Sequence, residues 1–321
     1  MCAHYNSRLI AETFVSHYQS ERPLDWDRRF GRPGLLDVEI GFGLGDFLIR
    51  KAQQEPLRNF VGIELDWLRV KKTLHKICAL RQAGQFDGQV RLLQADVTVA
   101  FERFFRPQSI SRIYCLFPCP WPKKGHVKHR LFSRSFTQLV NSRLQVGGEV
   151  QLVTDFYPYF RWLTGEVEES GFAVSTQTIR PQFNTKYERK WCGAGQREFY
   201  ELRLVKKEHQ PVPLKEDREL RVFFVDKFQP DRFVLPEVKG EITVVQKDFI
   251  FDACRGKGMV HVVVAEPSLT QHLWVVIVQS SHGWCVAKAE GQTALPTAGV
   301  VLAIEKIAEA VTASGKNENN D

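Results

Sequence analysis

The stretch Leu35-Leu36-Asp37-Val38-Glu39-Ile40-Gly41-Phe42-Gly43-Leu44-Gly45-Asp46 decides the fold. Its first six residues read as a strand, and glycines on alternate positions follow at once. Glycine tolerates positive φ and has no Cβ, so a strand running through such a turn into a helix lets a nucleotide-like ligand lie against the main chain. A glycine repeat is a weak sign alone. Its weight comes from what the chain does next.

Outward from that turn, short apolar runs alternate with helical patterns, as repeated β-α units of a parallel sheet do. The runs are LLDVEI (35–40), NFVGIE (59–64), VRLLQA (90–95), RIYCLF (112–117) and EVQLVT (149–154). Asp46 is expected to cap one helix ending before Pro56, and Asp66 another, on which Val70, Leu74 and Ile77 recur at helical spacing. A third helix is expected over 133–144, stopping at Gly147-Gly148, and a fourth over 157–170. Two last runs, 172–178 and 197–205, would complete a seven-stranded, Rossmann-like α/β sheet as an antiparallel edge.

That places the main domain at 35–208, preceded by residues 1–34 as a leading arm that orders on binding. The Pro-containing charged stretch at 209–218 reads as a linker. Residues 219–313 read as a second, smaller, strand-rich α+β domain of unknown role, with strands at 221–225, 241–246, 259–266 and 273–279 and a helix at 297–313. Residues 314–321 read as a disordered tail.

Composition narrows the function classes. Hydrophobic residues at 43% and charged residues at 25% are ordinary globular usage. No apolar run reaches the ~20 residues that span a bilayer, and the N-terminus lacks a signal-peptide layout. A cytoplasmic protein without membrane contact is expected, with a monomer favoured. The seven cysteines, at 2, 78, 115, 119, 192, 254 and 285, form no CxxC pair and no zinc spacing, so free thiols and no metal are expected. The net charge of +7 is uneven: residues 1–210 carry 32 Lys/Arg against 22 Asp/Glu, and 211–321 carry 12 against 15. A basic module suggests a polyanionic partner.

Glu64 ends the second run about 20 residues after the glycines, where a carboxylate can accept both ribose hydroxyls, and Asp96 follows the third run. With Glu39, three acids stand at consecutive strand ends. The glycines run GxGxG and not GxGxxG, and acids suit a sulfonium charge, so S-adenosylmethionine fits better than a dinucleotide. Singly, each acid could merely cap a helix; together they outline a nucleoside pocket. After the fourth run comes Phe117-Pro118-Cys119-Pro120-Trp121-Pro122-Lys123-Lys124-Gly125-His126-Val127-Lys128-His129-Arg130. A charge run is ordinarily a solvated face. Here prolines and a tryptophan hold it at the ligand end of the sheet, which points to RNA contact by Lys124, His126, Lys128, His129 and Arg130.

In this order VEIGFGLG, VGIEL, FPCPWPKKGHVKHR, LVTDF and NTKYERK resemble the motifs of the bacterial tRNA (guanine-N7-)-methyltransferase family, over about residues 35–205. The resemblance implies a class I S-adenosylmethionine-dependent methyltransferase fold and methylation of guanosine N7 in tRNA, in the variable loop. It implies cofactor contacts from Glu39, Gly41, Gly43, Gly45, Glu64, Asp96 and Cys119. It further implies that Lys123, Asp155, Thr185, Lys186, Tyr187 and Glu188 hold the guanosine. Guanine N7 carries a lone pair and no proton, so transfer needs alignment more than a general base. Asp155 or Glu188 could accept from guanine N1–H and the amino group.

One position departs from the family. Where the motif has FPDPW, this chain has Cys119, assigned with Asp155 to the catalytic centre. Three readings stay open. Transfer survives because it is positional; Cys119 ionises beside Lys123 and Lys124; or the chain is a weak or inactive tRNA-binding paralogue. A small-molecule methyltransferase on the same sheet is a further alternative.

Overall fold

The computed structural model describes residues 7–18 and 20–316, and the chain divides into two compact units between Lys215 and Glu216. In the first unit α1 (Ser7–Thr13) and α2 (Trp26–Phe30) precede β1 (Leu36–Ile40), α3 (Asp46–Gln54), β2 (Asn59–Glu64), α4 (Trp67–Gln82) and β3 (Gln89–Gln94). Then follow α5 (Val97–Arg103), β4 (Ile110–Leu116), α6 (Arg134–Arg143), β5 (Leu144–Thr154), α7 (Tyr157–Glu166), β6 (Phe172–Ile179), α8 (Lys186–Gly193) and β7 (Phe199–Lys206).

The seven strands lie in the order β3-β2-β1-β4-β5-β7-β6. Strands β1 to β5 pair in parallel, and β7 runs antiparallel to both its neighbours. The chain winds outward from β1 to β3, then returns to the other side of β1 as β4. This reversal opens a crevice beyond the carboxyl ends of β1 and β4, where doubly wound sheets bind ligands. All of β1 is buried, including two acids. Asp37 is held by Arg58 and Arg112, each with N···O of 2.5 Å, so burial of its charge is compensated by paired cations.

Residues 14–18 and 20–30 are not a free arm. Phe14 forms a parallel bridge with Leu92, Val15 N–H donates to the Leu92 carbonyl (2.9 Å), and Trp26 stacks on Phe105. Leu24, Trp26 and Phe30 are buried. The expected leading arm is instead packed against the first unit from Phe14 onward among the described residues. Residues 1–6, with Cys2, lie outside the described residues.

Three further expectations are corrected. Asp46 does not cap α3: it is the first helical residue after the N-cap Gly45, and it pairs with Lys76 (2.8 Å) and Arg189 (2.9 Å). Gly147-Gly148 do not end α6, which gives way directly to β5 at Leu144. They absorb a bulge against β4, and a Cβ on Gly148 would stand 2.8 Å from the Ser111 carbonyl. Residues 209–215, expected as linker, are pinned to the first unit. The buried guanidinium of Arg143 donates to the carbonyls of Phe101 (2.7 Å), Val212 (2.7 Å) and Pro213 (3.2 Å), and Lys215 N–H donates to Glu102 (2.9 Å).

The second unit holds β8 (Phe223–Val225), β9 (Thr243–Asp252), β10 (Lys257–Glu266), β11 (Leu269–Ser280), β12 (Gly283–Lys288) and α9 (Ala298–Ser314). Its antiparallel sheet runs β8-β12-β11-β10-β9. Alternate residues Val260, Val262, Val264, Leu273, Val275 and Ile277 form one core with Val300, Ile304, Ile307 and Val311 of α9. Strand β12 was not foreseen. The helix includes Ser314, which was assigned to the tail; residues 317–321 lie outside the described residues.

Candidate active site

The turn from β1 to α3 holds Gly41, Gly43 and Gly45 at φ of +69°, +57° and +69°. A Cβ on Gly41 or Gly43 would meet nothing within 4 Å, so these two leave an open trough. Gly45 differs: its Cβ would lie 2.4 Å from Thr73 Cγ2, so it permits close packing of α4. Beside the trough the Glu39 side chain is buried, and its Oε2 has no hydrogen-bond partner among the described residues. Burial holds this carboxyl well above the ordinary range; Arg50 opposes the shift, and Asp46 and Glu64 add to it.

Two adjoining cavities share Gly41, Arg69, Leu116 and Tyr187. The smaller, about 230 Å³, is lined by Glu39, Gly43, Asp46, Thr185 and Lys186. The larger, about 540 Å³, is lined by Glu64, Leu65, Asp96, Val97, Cys119, Trp121, His129, Asp155 and Trp191. Glu64 accepts from the N–H groups of Gly43 (3.0 Å), Leu65 (3.0 Å) and Asp66 (3.1 Å), which locks the glycine turn to the end of β2. A carboxylate offers about four acceptor sites, so one remains. Asp96 caps α5 through Oδ1, with Thr98 N–H at 2.8 Å and Val99 N–H at 3.3 Å. Both acids are therefore helix-end or turn acceptors and cavity walls at once.

The loop after β4 enters and leaves through positive φ at Phe117 (+57°) and Trp121 (+42°). Trp121 packs between His126 and His129, with ring centroids at 5.7 and 5.3 Å. Lys123, Lys124, His126, Lys128 and His129 are exposed around it. Arg130 is the exception among the expected RNA contacts. It donates to the carbonyl of Pro120 (2.9 Å), and its guanidinium lies over Tyr159 and Trp162. Its charge braces the loop from beneath.

Asp155, directly after β5, and Cys119 both line the larger cavity. Burial raises the Asp155 carboxyl above its ordinary value. Glu188 does not join them. Its carboxylate is buried and accepts from the N–H groups of Gln182 (2.7 Å), Phe183 (3.1 Å) and Asn184. Thr185 in turn accepts from Glu188 N–H (3.1 Å) as the N-cap of α8. The segment Thr185-Lys186-Tyr187-Glu188 is a capping-box sequence whose acid is engaged by the preceding loop, where the sequence reading has it accepting from the guanine. Trp191, absent from the sequence reading, joins Tyr187 on the cavity wall; the four-residue helical spacing after the cap was the available signal.

A family model described as a putative methyltransferase matches residues 34–201. The tRNA (guanine-N(7)-)-methyltransferase of Chlorobium phaeobacteroides is 40% identical over 176 residues, covering 55% of this chain and 84% of that protein. The chain belongs to the tRNA (guanine-N7-)-methyltransferase family. Within that family, the proteins of Thermotoga maritima and Thermus thermophilus are 28% and 29% identical. They match 91% and 89% of this chain and 94% and 92% of their own lengths, so similarity extends into the second unit. The cofactor of this family of enzymes is S-adenosylmethionine, and the site suits it. The orphaned Glu39 oxygen is a ready acceptor for an ammonium donor, and the Gly41-Gly43 trough admits a chain that any Cβ would crowd. Among the described residues no group of three or more His, Cys, Asp or Glu is arranged to hold a metal, and no helix is long and apolar enough to cross a membrane.

Proposed function

We propose that this chain transfers a methyl group from S-adenosylmethionine to N7 of a guanosine in tRNA, in the variable loop. The observation that carries the reading is a pair of adjoining cavities, Glu39 lining one and Glu64, Asp96, Cys119 and Asp155 the other, beside an exposed cationic loop. Bound S-adenosylmethionine supplies an electrophilic sulfonium methyl. Glu39 takes its ammonium end, and Glu64 and Asp96 the nucleoside end. Asp155 accepts from guanine N1–H and the amino group, and its negative charge offsets the positive charge that N7 acquires. No proton leaves N7, so the chain's work is alignment, for which an acceptor at Cys119 is not required. Lys123, Lys124 and Lys128 neutralise tRNA phosphates at the rim.

The second unit serves the same enzyme, a reading supported by matches that run through it in proteins named for this activity. The test is transfer of tritiated methyl to tRNA, with the site mapped by chain cleavage at 7-methylguanosine. Label confined to small molecules, or none on tRNA, would sink the proposal. Replacing Lys123, Lys124 and Lys128 by glutamate should weaken tRNA binding and flatten its salt dependence. A small-molecule methyltransferase would be indifferent to that change.

A further inference from the structure

Away from the crevice, a cleft of about 420 Å³ is lined by Arg28, Arg29, Arg81 and Arg91, with Glu12 and Asp87 as its carboxylates. It lies against the first half of β3, between α2 and the end of α4. Arg91 is 7% exposed. Its guanidinium rests 4.6 Å over the Phe30 ring and donates to the carbonyls of Arg29 (2.9 Å) and Val90 (3.0 Å). Arg81 donates to Thr13 Oγ1 (2.6 Å) and the Gly88 carbonyl (3.1 Å). A guanidinium carries five N–H groups, so about three on each arginine have no protein acceptor among the described residues.

Glu12 offsets these charges only in part: it acts on Arg81 and Arg91 through space and forms a close ion pair with neither. Glu12 is engaged by Arg8 at 2.7 Å. Burial, together with the charge of Arg81, lowers Arg91 to about 10, and burial lowers Arg81 as well, with Glu12 opposing both shifts. Two partly desolvated cations therefore share one cleft with no carboxylate in close contact with either, a setting that an outside anion would stabilise. The forked geometry of guanidinium matches a phosphate oxygen pair. Arg28, exposed at the rim, has no side-chain partner among the described residues.

We infer that this cleft binds a phosphate group, supplied by the backbone of the tRNA substrate. The tRNA source rests on the proposed function. From Arg91 to Asp96 the edge strand spans roughly 16 Å. A polynucleotide with its guanine in the crevice therefore reaches the cleft within a few phosphates. The same chemistry could be met by a free phosphate anion, and the experiment separates the two.

The variants are Arg28→Gln with Arg29→Gln, and that pair with Arg81→Gln added, all in the full chain. Binding to tRNA is read by fluorescence anisotropy over a salt series, S-adenosylmethionine affinity by calorimetry, and melting with and without millimolar inorganic phosphate. The expected result is a roughly tenfold weaker tRNA complex in the triple variant, with the salt slope reduced by about one for each phosphate no longer neutralised. Cofactor affinity should stay at the wild-type value, and phosphate should raise melting in the wild type only. Unchanged tRNA affinity and slope with phosphate protection lost assigns the cleft to a free anion and overturns the tRNA source. Unchanged affinity with equal phosphate protection overturns the site. A wild type that binds no tRNA refutes the proposed function, while the phosphate arm still decides the cleft. If the triple variant fails to fold, the exposed Arg28/Arg29 pair carries the same readouts.

Discussion

Glu188 offers the sharpest test, because two roles for it make opposite predictions. Its carboxylate accepts three backbone N–H groups from residues 182–184 and lies away from the larger cavity. Hydrogen bonds to a charged group contribute about 1.5–3 kcal/mol each, but the loop can open to water and recover part of that. Glu188→Ala should therefore cost about 3 kcal/mol. In a unit of this size that lowers the melting temperature by roughly 6–12 °C. Glu188→Gln should fall between, since its amide group presents donors where the loop also presents donors. Thr185, Lys186 and Tyr187 line the smaller cavity, so a loosened loop should raise KM for S-adenosylmethionine more than it lowers kcat. Differential scanning calorimetry and methyl-transfer kinetics read both effects. Unchanged melting with methylation abolished, or with adenosine now accepted, would place Glu188 on the base and refute the clamp.

Other outcomes follow from the same geometry. Cys119→Ser should keep kcat within a few-fold and Cys119→Asp should change it by less than about tenfold, because transfer is positional; a hundredfold effect in steady-state assays would show that position 119 contributes directly. Glu39 is held well above the ordinary carboxyl range by burial, so cofactor affinity should rise with pH as it ionises, with proton release on binding. Calorimetry of Glu39→Gln should show weaker binding and no such pH slope, and an equal slope in both proteins would refute the assignment. Burial, with Arg22 adding, holds His17 at about 4, below its unfolded value near 6.5. The unfolded chain then binds more protons between these values, so stability falls as pH drops from about 6.5 toward 4. His17→Phe should lose that component of the melting profile, and a profile unchanged from wild type would refute it.

The parallel part of the first unit's sheet was legible because β1 to β4 are almost wholly buried and therefore appear as continuous apolar runs, closed by a glycine, an acid or, after β4, a proline. Glu39, Glu64, Asp96, Cys119 and Asp155 follow from the same logic: a parallel sheet brings every strand's carboxyl end to one edge, so their convergence on a single crevice is a consequence of topology. Helix α5 was missed because seven residues carry too little periodicity, and β12 because Gly283-Trp284-Cys285 has no alternation.

What pattern alone could not decide is where a polar side chain spends its hydrogen bonds. Glu188 and Arg130 stand in motifs that suggest substrate contact, yet one clamps a loop and the other braces a turn. Asp37 looks like an ordinary strand residue and is the buried centre of an arginine pair. Arg81 and Arg91, ten residues apart on a helix and a strand, face each other only after the chain folds. Sequence by itself determined the order of the first unit's strands and the identity of the strand-end acids, because periodicity and glycine placement are local properties. The tertiary structure decided which charges are paired, buried or left open, because desolvation and hydrogen-bond geometry depend on neighbours distant along the chain.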